Sequence, residues 1–308
     1  MQSDVSVVIP AYNAAHYIAS AIESALAQTT APREIIVIDD GSTDDTRAIV
    51  ERFGGDVRYV IQQNRGVSAA RNNGIDQSRS KYVAFLDADD TWLPVKIERQ
   101  IAALNAAQGR ASYTAHLVVD DRSKPLFVNR SERHLTSISD LLTKGNVVGS
   151  PSSVLCERSL FAEVGKFDTA FSLCADWEMW IRIATVTEFV PVDEPLVKYR
   201  VHGDNMSLDV SLLEDDSLRT LRKGFALAAL PPAVRGRRRT SFAHNYMVLA
   251  GSYARAQRPL HGLRCALESL VRDPRQTREL LAYFARRAAG RSGERSVAQH
   301  PATRSADR

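Results

Sequence analysis

Cysteine is nearly absent: Cys156, Cys174 and Cys265 are the only three in 308 residues, odd in number and far apart. A disulfide framework and a cysteine-built zinc site are thereby disfavoured, and a reducing compartment is expected. Long apolar runs are missing too, and none approaches the length of roughly 20 residues that spans a bilayer. The opening MQSDVSVVIPAYN has neither a basic stretch nor an apolar core of the signal-peptide kind, so no such peptide is expected. The expected setting is cytoplasmic, at most at the inner face of the cell membrane. A glycine-rich, lysine-bearing phosphate loop is also lacking: PAYNAAHYI after the first apolar run offers none, which argues against a nucleotidyltransferase. What is present is ordinary globular material, 44% hydrophobic and 25% charged, which excludes the disordered and fibrous classes.

The net charge of +4 conceals an asymmetry. Residues 1–221 hold 22 Lys/Arg against 31 Asp/Glu, whereas residues 222–308 hold 18 against 5. An acidic catalytic part followed by a basic appendage is the natural division. Two readings of the appendage stand side by side: docking on an anionic bilayer, or a solvated, arginine-rich set of helices.

Residues 5–10 (VSVVIP), 34–38 (EIIVI), 57–61 and 82–86 (YVAFL) read as strands, the apolar ones as buried. Between them, 15–28, 43–53 and 66–78 read as helices, with Ser42 or Thr43 as an N-cap candidate. Strand-helix alternation means a parallel sheet with crossover helices, and such sheets bind ligands outside the carboxyl ends of their strands. Asp39-Asp40 and Asp87-Ala88-Asp89-Asp90 both follow strands directly and should share one rim. Beyond residue 110 the pattern becomes mixed: strands at 112–119, 152–156 and 195–201, and helices at 135–144 and 176–185. The expected architecture is α/β, a Rossmann-like, mostly parallel sheet over about 1–110 and a mixed α+β half over 111–210. A helical basic appendage at 211–289 and a structureless tail at 290–308 follow. Within the appendage, 246–274 has the look of a single tetratricopeptide-type hairpin.

Three carboxylates within 87–90 repel one another, and a hard divalent cation bridged to phosphate oxygens is the usual remedy at a ligand rim. A helix N-terminus accounts for one acid, Asp90, with a helix starting near Leu93, but poorly for three. Asp39-Asp40-Gly41-Ser42 is either a capped turn or an acceptor for a base and a ribose. Arg65 and Arg71, in NRGVSAARNNG, are forks for a diphosphate or members of a solvated helix face. Asp176 precedes Trp177 and, further on, Trp180. It is either a helix cap above core tryptophans or a general base beside an aromatic that can stack on a sugar and raise its pKa.

VSVVIPAYN, EIIVIDDGSTDDT, NRGVSAARNNGI and YVAFLDADDTW, in this order, resemble the family 2 glycosyltransferases of the GT-A fold. VGKFDTAFSLCADWEMWIRIA and VKYRVHGDNMS resemble the family's second half, so the likeness spans roughly residues 3–208. The resemblance implies that Pro10, Ala11 and Tyr12 line the nucleotide base, that Asp40 bonds the uracil, and that Asp39 lies nearer the ribose. Asp87-Ala88-Asp89 matches the DxD motif, with Asp89 on the metal and Asp87 near the ribose or donor sugar. Arg71 resembles a donor-site arginine, Asp176 the general base, and His202 a residue reaching the metal or the diphosphate. The family's usual Glu-Asp pair reads Ala175-Asp176 in this chain.

The expected function is transfer of a sugar, with inversion, from a nucleotide-sugar donor to a hydroxyl of a glycan or lipid-linked acceptor. UDP-sugar is the expected donor and Mg²⁺ or Mn²⁺ the expected cofactor. The setting is polysaccharide and cell-envelope biosynthesis, without nucleic acid as a partner. The alternative is a catalytically weak nucleotide-sugar-binding or scaffolding protein of a glycan-assembly pathway.

Overall fold

A computed structural model describes residues 3–130, 134, 136–203 and 209–277. They group into two compact units, one over Met1–Ile138 and Val148–His202, the other over Ser139–Val147 and from Gly203 onward. The predicted tail at 290–308 and the end of the predicted appendage lie outside the described residues.

In the first unit the apolar runs become β1 (Val5–Ala11), β2 (Glu34–Asp39), β3 (Arg58–Ile61) and β4 (Tyr82–Phe85). They lie in the order β3-β2-β1-β4, all parallel. Helices α1 (Ile18–Leu26), α2 (Thr46–Glu51) and α3 (Val67–Gln77) occupy the crossovers. Every residue of β1 is buried, as a central parallel strand requires. Ile18, Ala21, Ile22 and Ala25 recur at helical spacing on the buried face of α1, in the same core as Val5, Val7 and Ile9. Each such aliphatic side chain contributes about 1.5–3 kcal/mol on burial. Helix α3 approaches β1 so closely that a Cβ on Gly74 would stand 2.2 Å from Val8 Cγ1.

Beyond β4 the sheet continues in mixed directions through β5 (Thr91–Trp92), β6 (Ala111–Val119), β7 (Pro125–Asn129), β8 (Val154–Glu157) and β9 (Phe189–Arg200). The full order is β3-β2-β1-β4-β8-β6-β9-β5, with β7 paired to β6. Only β6 and β9 run parallel in this half. Helices α4 (Lys96–Ala107), α6 (Ser159–Val164) and α7 (Ala175–Ile183) complete the unit, while α5 (Ile138–Lys144) lies at the unit boundary.

Three readings need correction. The strand expected at 195–201 begins at Phe189, because Pro191 and Pro195 disguise it. The register shifts twice between Thr114 and His116, where β6 meets the proline-bearing stretch, and proline is tolerated at such irregularities. Helix α4 starts at Lys96 with Val95 in the capping position, so Asp90 caps nothing. Likewise Asp45, not Ser42 or Thr43, precedes α2. Strands β5 and β7 and helix α6 had no counterpart in the sequence reading, being short or weakly apolar.

The second unit is helical: α8 (Val210–Phe225), α9 (Pro232–Arg235), α10 (Arg238–Arg255) and α11 (Pro259–Arg272). Asp209 caps α8 by accepting from the backbone N–H groups of Ser211 and Leu212. Helices α10 and α11 form the hairpin read at 246–274, around Tyr246, Leu249, Tyr253 and Cys265. Glu214 of α8 accepts from the Tyr253 hydroxyl at 2.8 Å and pairs with Arg264. No described helix is long and apolar enough to cross a membrane.

Candidate active site

The carboxyl ends of β2, β1 and β4 stand side by side, Ala11 being in register with Asp39 and Val8 with Phe85. The residues expected to meet a nucleotide fare differently on this rim. Tyr12 projects and is 52% exposed, whereas Pro10 and Ala11 are buried strand residues. Asp40 is buried and already accepts from Gln62 Nε2 (2.7 Å), Arg65 N (2.9 Å) and Gly66 N (2.7 Å). Asp39, also buried, accepts from Ser42 N at 2.8 Å and from the Tyr59 hydroxyl. The two carboxylates therefore brace the loops after β2 and β3. The backbone N–H groups of Arg65 and Gly66 (φ 86° at Gly66) point back at Asp40 from the loop after β3.

Arg71 is likewise engaged. Its Nη2 stands 2.6 Å from Asp87 Oδ1, its side chain is 7% exposed, and its guanidinium lies 5.5 Å from the centre of the Phe167 ring. It neutralises the first carboxylate of the acidic loop instead of presenting a free fork. Ala88 is half-buried between the two aspartates that matter here. Asp89 Oδ2 is 3.1 Å from His202 Nε2, which joins residues 113 positions apart. Asp90 is turned inward, 1% exposed, with Oδ1 accepting from Arg200 N at 3.0 Å. Its Oδ2 is buried without a hydrogen-bond partner among the described residues. Burial first, then the charges of Asp89 and Asp87, push the Asp90 carboxyl well above the usual carboxylate range.

Asp176 sits in the first turn of α7, where Cys174 holds the capping position, so the helix-cap reading fails. Its Oδ1 accepts from Trp177 N at 2.7 Å. Trp177 and Trp180 are both buried, and Trp180 donates from Nε1 to Gly149 O at 3.2 Å. Neither offers a face to a sugar, which corrects that part of the expectation. What unites the acids is Tyr199: burial, then Asp90, Asp89, Asp87 and Asp176, push its phenol far above its ordinary range. One tyrosine thus feels four carboxylates drawn from two distant stretches of chain.

Sequence reasoning passed over Tyr199, Arg200 and Tyr17. Arg200, buried, donates from Nε to Asp89 O (2.9 Å) and from Nη1 to Asp121 O (2.8 Å), clamping the acidic loop to the turn after β6. Its guanidinium lies over the Tyr17 ring at 5.3 Å, and that ring is 4.9 Å from His202. Tyr17 donates to Asp121 Oδ1 at 2.6 Å, and burial followed by this bond raises its phenol to about 12. The partners are separated by tens of residues or more, so no spacing announces them.

Among the described residues, no group of three or more His, Cys, Asp or Glu side chains gathers to hold a metal by itself. Asp89 and His202 nevertheless form a two-donor set. Mg²⁺-class ions commonly take one or two protein carboxylates and complete their shell with phosphate oxygens and water. The buried Oδ2 of Asp90, without a hydrogen-bond partner among the described residues, lies in this loop beside Asp87 and Asp89, where a cation would relieve the crowding of acids. The residues present therefore fit a divalent ion shared with a phosphate ligand.

Comparison with known proteins places the chain in a family. The chain is 33% identical over 228 residues to an uncharacterized glycosyltransferase of Rickettsia typhi, covering 72% of this chain and 71% of that protein. It is 29% identical over 214 residues to chondroitin synthase of Escherichia coli, spanning 66% of this chain but 30% of that enzyme. In fold it resembles S. aureus TarS 1–349, solved with UDP-GlcNAc, at a TM-score of 0.56 and 16% identity over 86% of this chain and 88% of that one. This likeness supports a GT-A-like α/β architecture. Residues 6–165 match glycosyl transferase family 2, and the chain belongs to that family of glycosyltransferases.

Proposed function

We propose that the chain transfers a sugar from a UDP-sugar to a hydroxyl of a glycan or lipid-linked acceptor, with inversion at the anomeric carbon. The observation that carries this reading is Asp89 Oδ2 standing 3.1 Å from His202 Nε2, next to the Arg71–Asp87 pair, in the loop that follows the carboxyl end of β4. Ligands of open α/β sheets bind at that edge. The TarS structures holding UDP and UDP-GlcNAc support the donor class.

In this reading Tyr12, exposed on the rim, offers its ring to the base, and the loop braced by Asp40 borders it. Asp89 and His202 would hold Mg²⁺ or Mn²⁺, which when bound would supply Lewis-acid charge at the diphosphate. Arg71 holds Asp87 in place beside the donor through their ion pair. Asp176 accepts the proton of the attacking hydroxyl as the new C–O bond forms and the bond to the diphosphate oxygen breaks. A single displacement of this kind inverts the configuration.

The test is UDP release from UDP-sugars with candidate acceptors. Wild-type release should be suppressed by EDTA and restored by Mn²⁺. Asp176→Asn should lower turnover by roughly two orders of magnitude or more while UDP-sugar binding persists. Near-normal turnover of that variant would remove Asp176 from the role of base, and release indifferent to EDTA would remove the metal.

A further inference from the structure

Helix α11 carries its apolar side chains on an unexpected side. The face turned to α10 is small, with Gly262, Cys265, Ala266 and Ser269 buried. A Cβ on Gly262 would meet the Ala250 carbonyl oxygen at 3.1 Å, so the two helices touch almost backbone to backbone. The large residues point outward: Leu260, Leu263, Leu267 and Val271 are 79%, 58%, 55% and 71% exposed. Their spacing of three, four and four places them in one stripe along the helix, and a contiguous apolar face of this kind marks an interaction surface.

At the C-terminal end of the stripe, Arg239 donates from Nη2 to Val271 O at 2.8 Å. There a cavity of about 520 Å³ opens, lined by Arg222, Arg238, Arg239 and Arg272 with the rings of Phe242 and Tyr246. No carboxylate lines it. Arg272 is paired with Glu268 and lies over Tyr246 at 4.6 Å. Arg222, Arg238 and Arg239 form no ion pair among the described residues. Arg238 and Arg239 also crowd the first turn of an 18-residue helix, the positive end of its dipole, where an anion is the stabilising partner. Residues 222–277 hold eleven Lys/Arg and two Asp/Glu, so little nearby charge can compensate.

We propose that this face of the helical unit docks on an anionic phospholipid surface. The α11 stripe enters the boundary between headgroups and acyl chains, and the arginine cavity takes a headgroup phosphate. Each half of the site explains the other: a leucine stripe has no role against a nucleic acid, and four arginines have none against a neutral apolar partner. The inference is independent of the catalytic reading above.

The full chain, sedimented with vesicles of phosphatidylglycerol and phosphatidylcholine, should bind in a salt-sensitive manner, and it should leave pure phosphatidylcholine vesicles largely unbound. Arg238→Ala/Arg239→Ala should lower the partition coefficient roughly thirtyfold. Leu263→Ser/Leu267→Ser should lower it about tenfold or more. Both pairs are exposed, so unchanged melting temperatures and unchanged UDP release will show that the fold and the catalytic site are untouched. If a double variant melts early, the single substitutions Arg239→Gln and Leu263→Ser carry the same comparison. No binding to anionic vesicles, equal binding to neutral ones, or binding indifferent to both variants would overturn the proposal. So would capture of RNA, lost in the arginine variant, by a chain that ignores vesicles.

Discussion

Asp90 is the residue at which structure and charge pull hardest against each other. It lies beside Asp89 in the acidic loop, is buried, and accepts from Arg200 N at 3.0 Å. Its raised carboxyl means that folding shifts the balance towards the protonated form. An amide keeps the Oδ1 acceptor and removes the repulsion from Asp87 and Asp89. Asp90→Asn should therefore unfold in urea at a concentration close to or above that of the wild type at neutral pH. Asp90→Ala leaves the Arg200 N–H unpaired and should cost about 1–3 kcal/mol. A stable alanine variant, or an asparagine variant as damaged as the alanine one, would show that Asp90 does not act in this way. Nothing in DADD distinguishes this inward acid from its neighbours, because the distinction is made by β9, more than a hundred residues further on.

At the scale of elements, α4 buries an ionisable side chain at its first residue. Lys96, the first residue of α4, is fully buried, with Nζ donating to Gln100 Oε1 at 2.7 Å and lying 4.1 Å from the Trp92 ring centre. Burial lowers its ammonium well below the usual range. Unfolded, the side chain keeps its proton up to about pH 10.4. Folding then releases a proton, so stability rises with pH between the lowered folded value and about 10.4. Lys96→Met retains the volume but not the titration. The urea midpoint of the wild type should gain on that of the variant as pH climbs from 7 to 10, and a constant difference would refute the account. Elements themselves were legible where apolar runs were long, as in β1, β2 and β4, and were obscured where proline interrupted them, as in β9.

For the whole molecule, the two compact units do not follow chain order, since Ser139–Val147 groups with the helical unit across an intervening 55 residues. A chain ended at residue 202 should keep the sheet but deprive 139–147 of its unit. Limited proteolysis should then cut near that segment far sooner than in the full chain, with a lower melting temperature. Equal protection in both would show that the segment stands without the helices. A boundary read near residue 210 from composition alone had no means of finding this return, because the nine residues 139–147 carry no shift in charge or periodicity.

The parallel half of the sheet, the placing of acids at its carboxyl edge, the family and the helical character of the basic region are legible in the amino-acid order. Each is written in local periodicity or in short ordered motifs, which survive without knowledge of distant contacts. Which of those acids face outward is set by packing between distant segments. Asp39 and Asp40 were claimed by loop N–H groups, Asp87 by Arg71, and Asp90 by the end of β9, while Asp89 met His202. The reason is that a carboxylate looks the same in the chain whatever it will bond to, and its partner is chosen by the packing that brings remote segments within 3 Å or so.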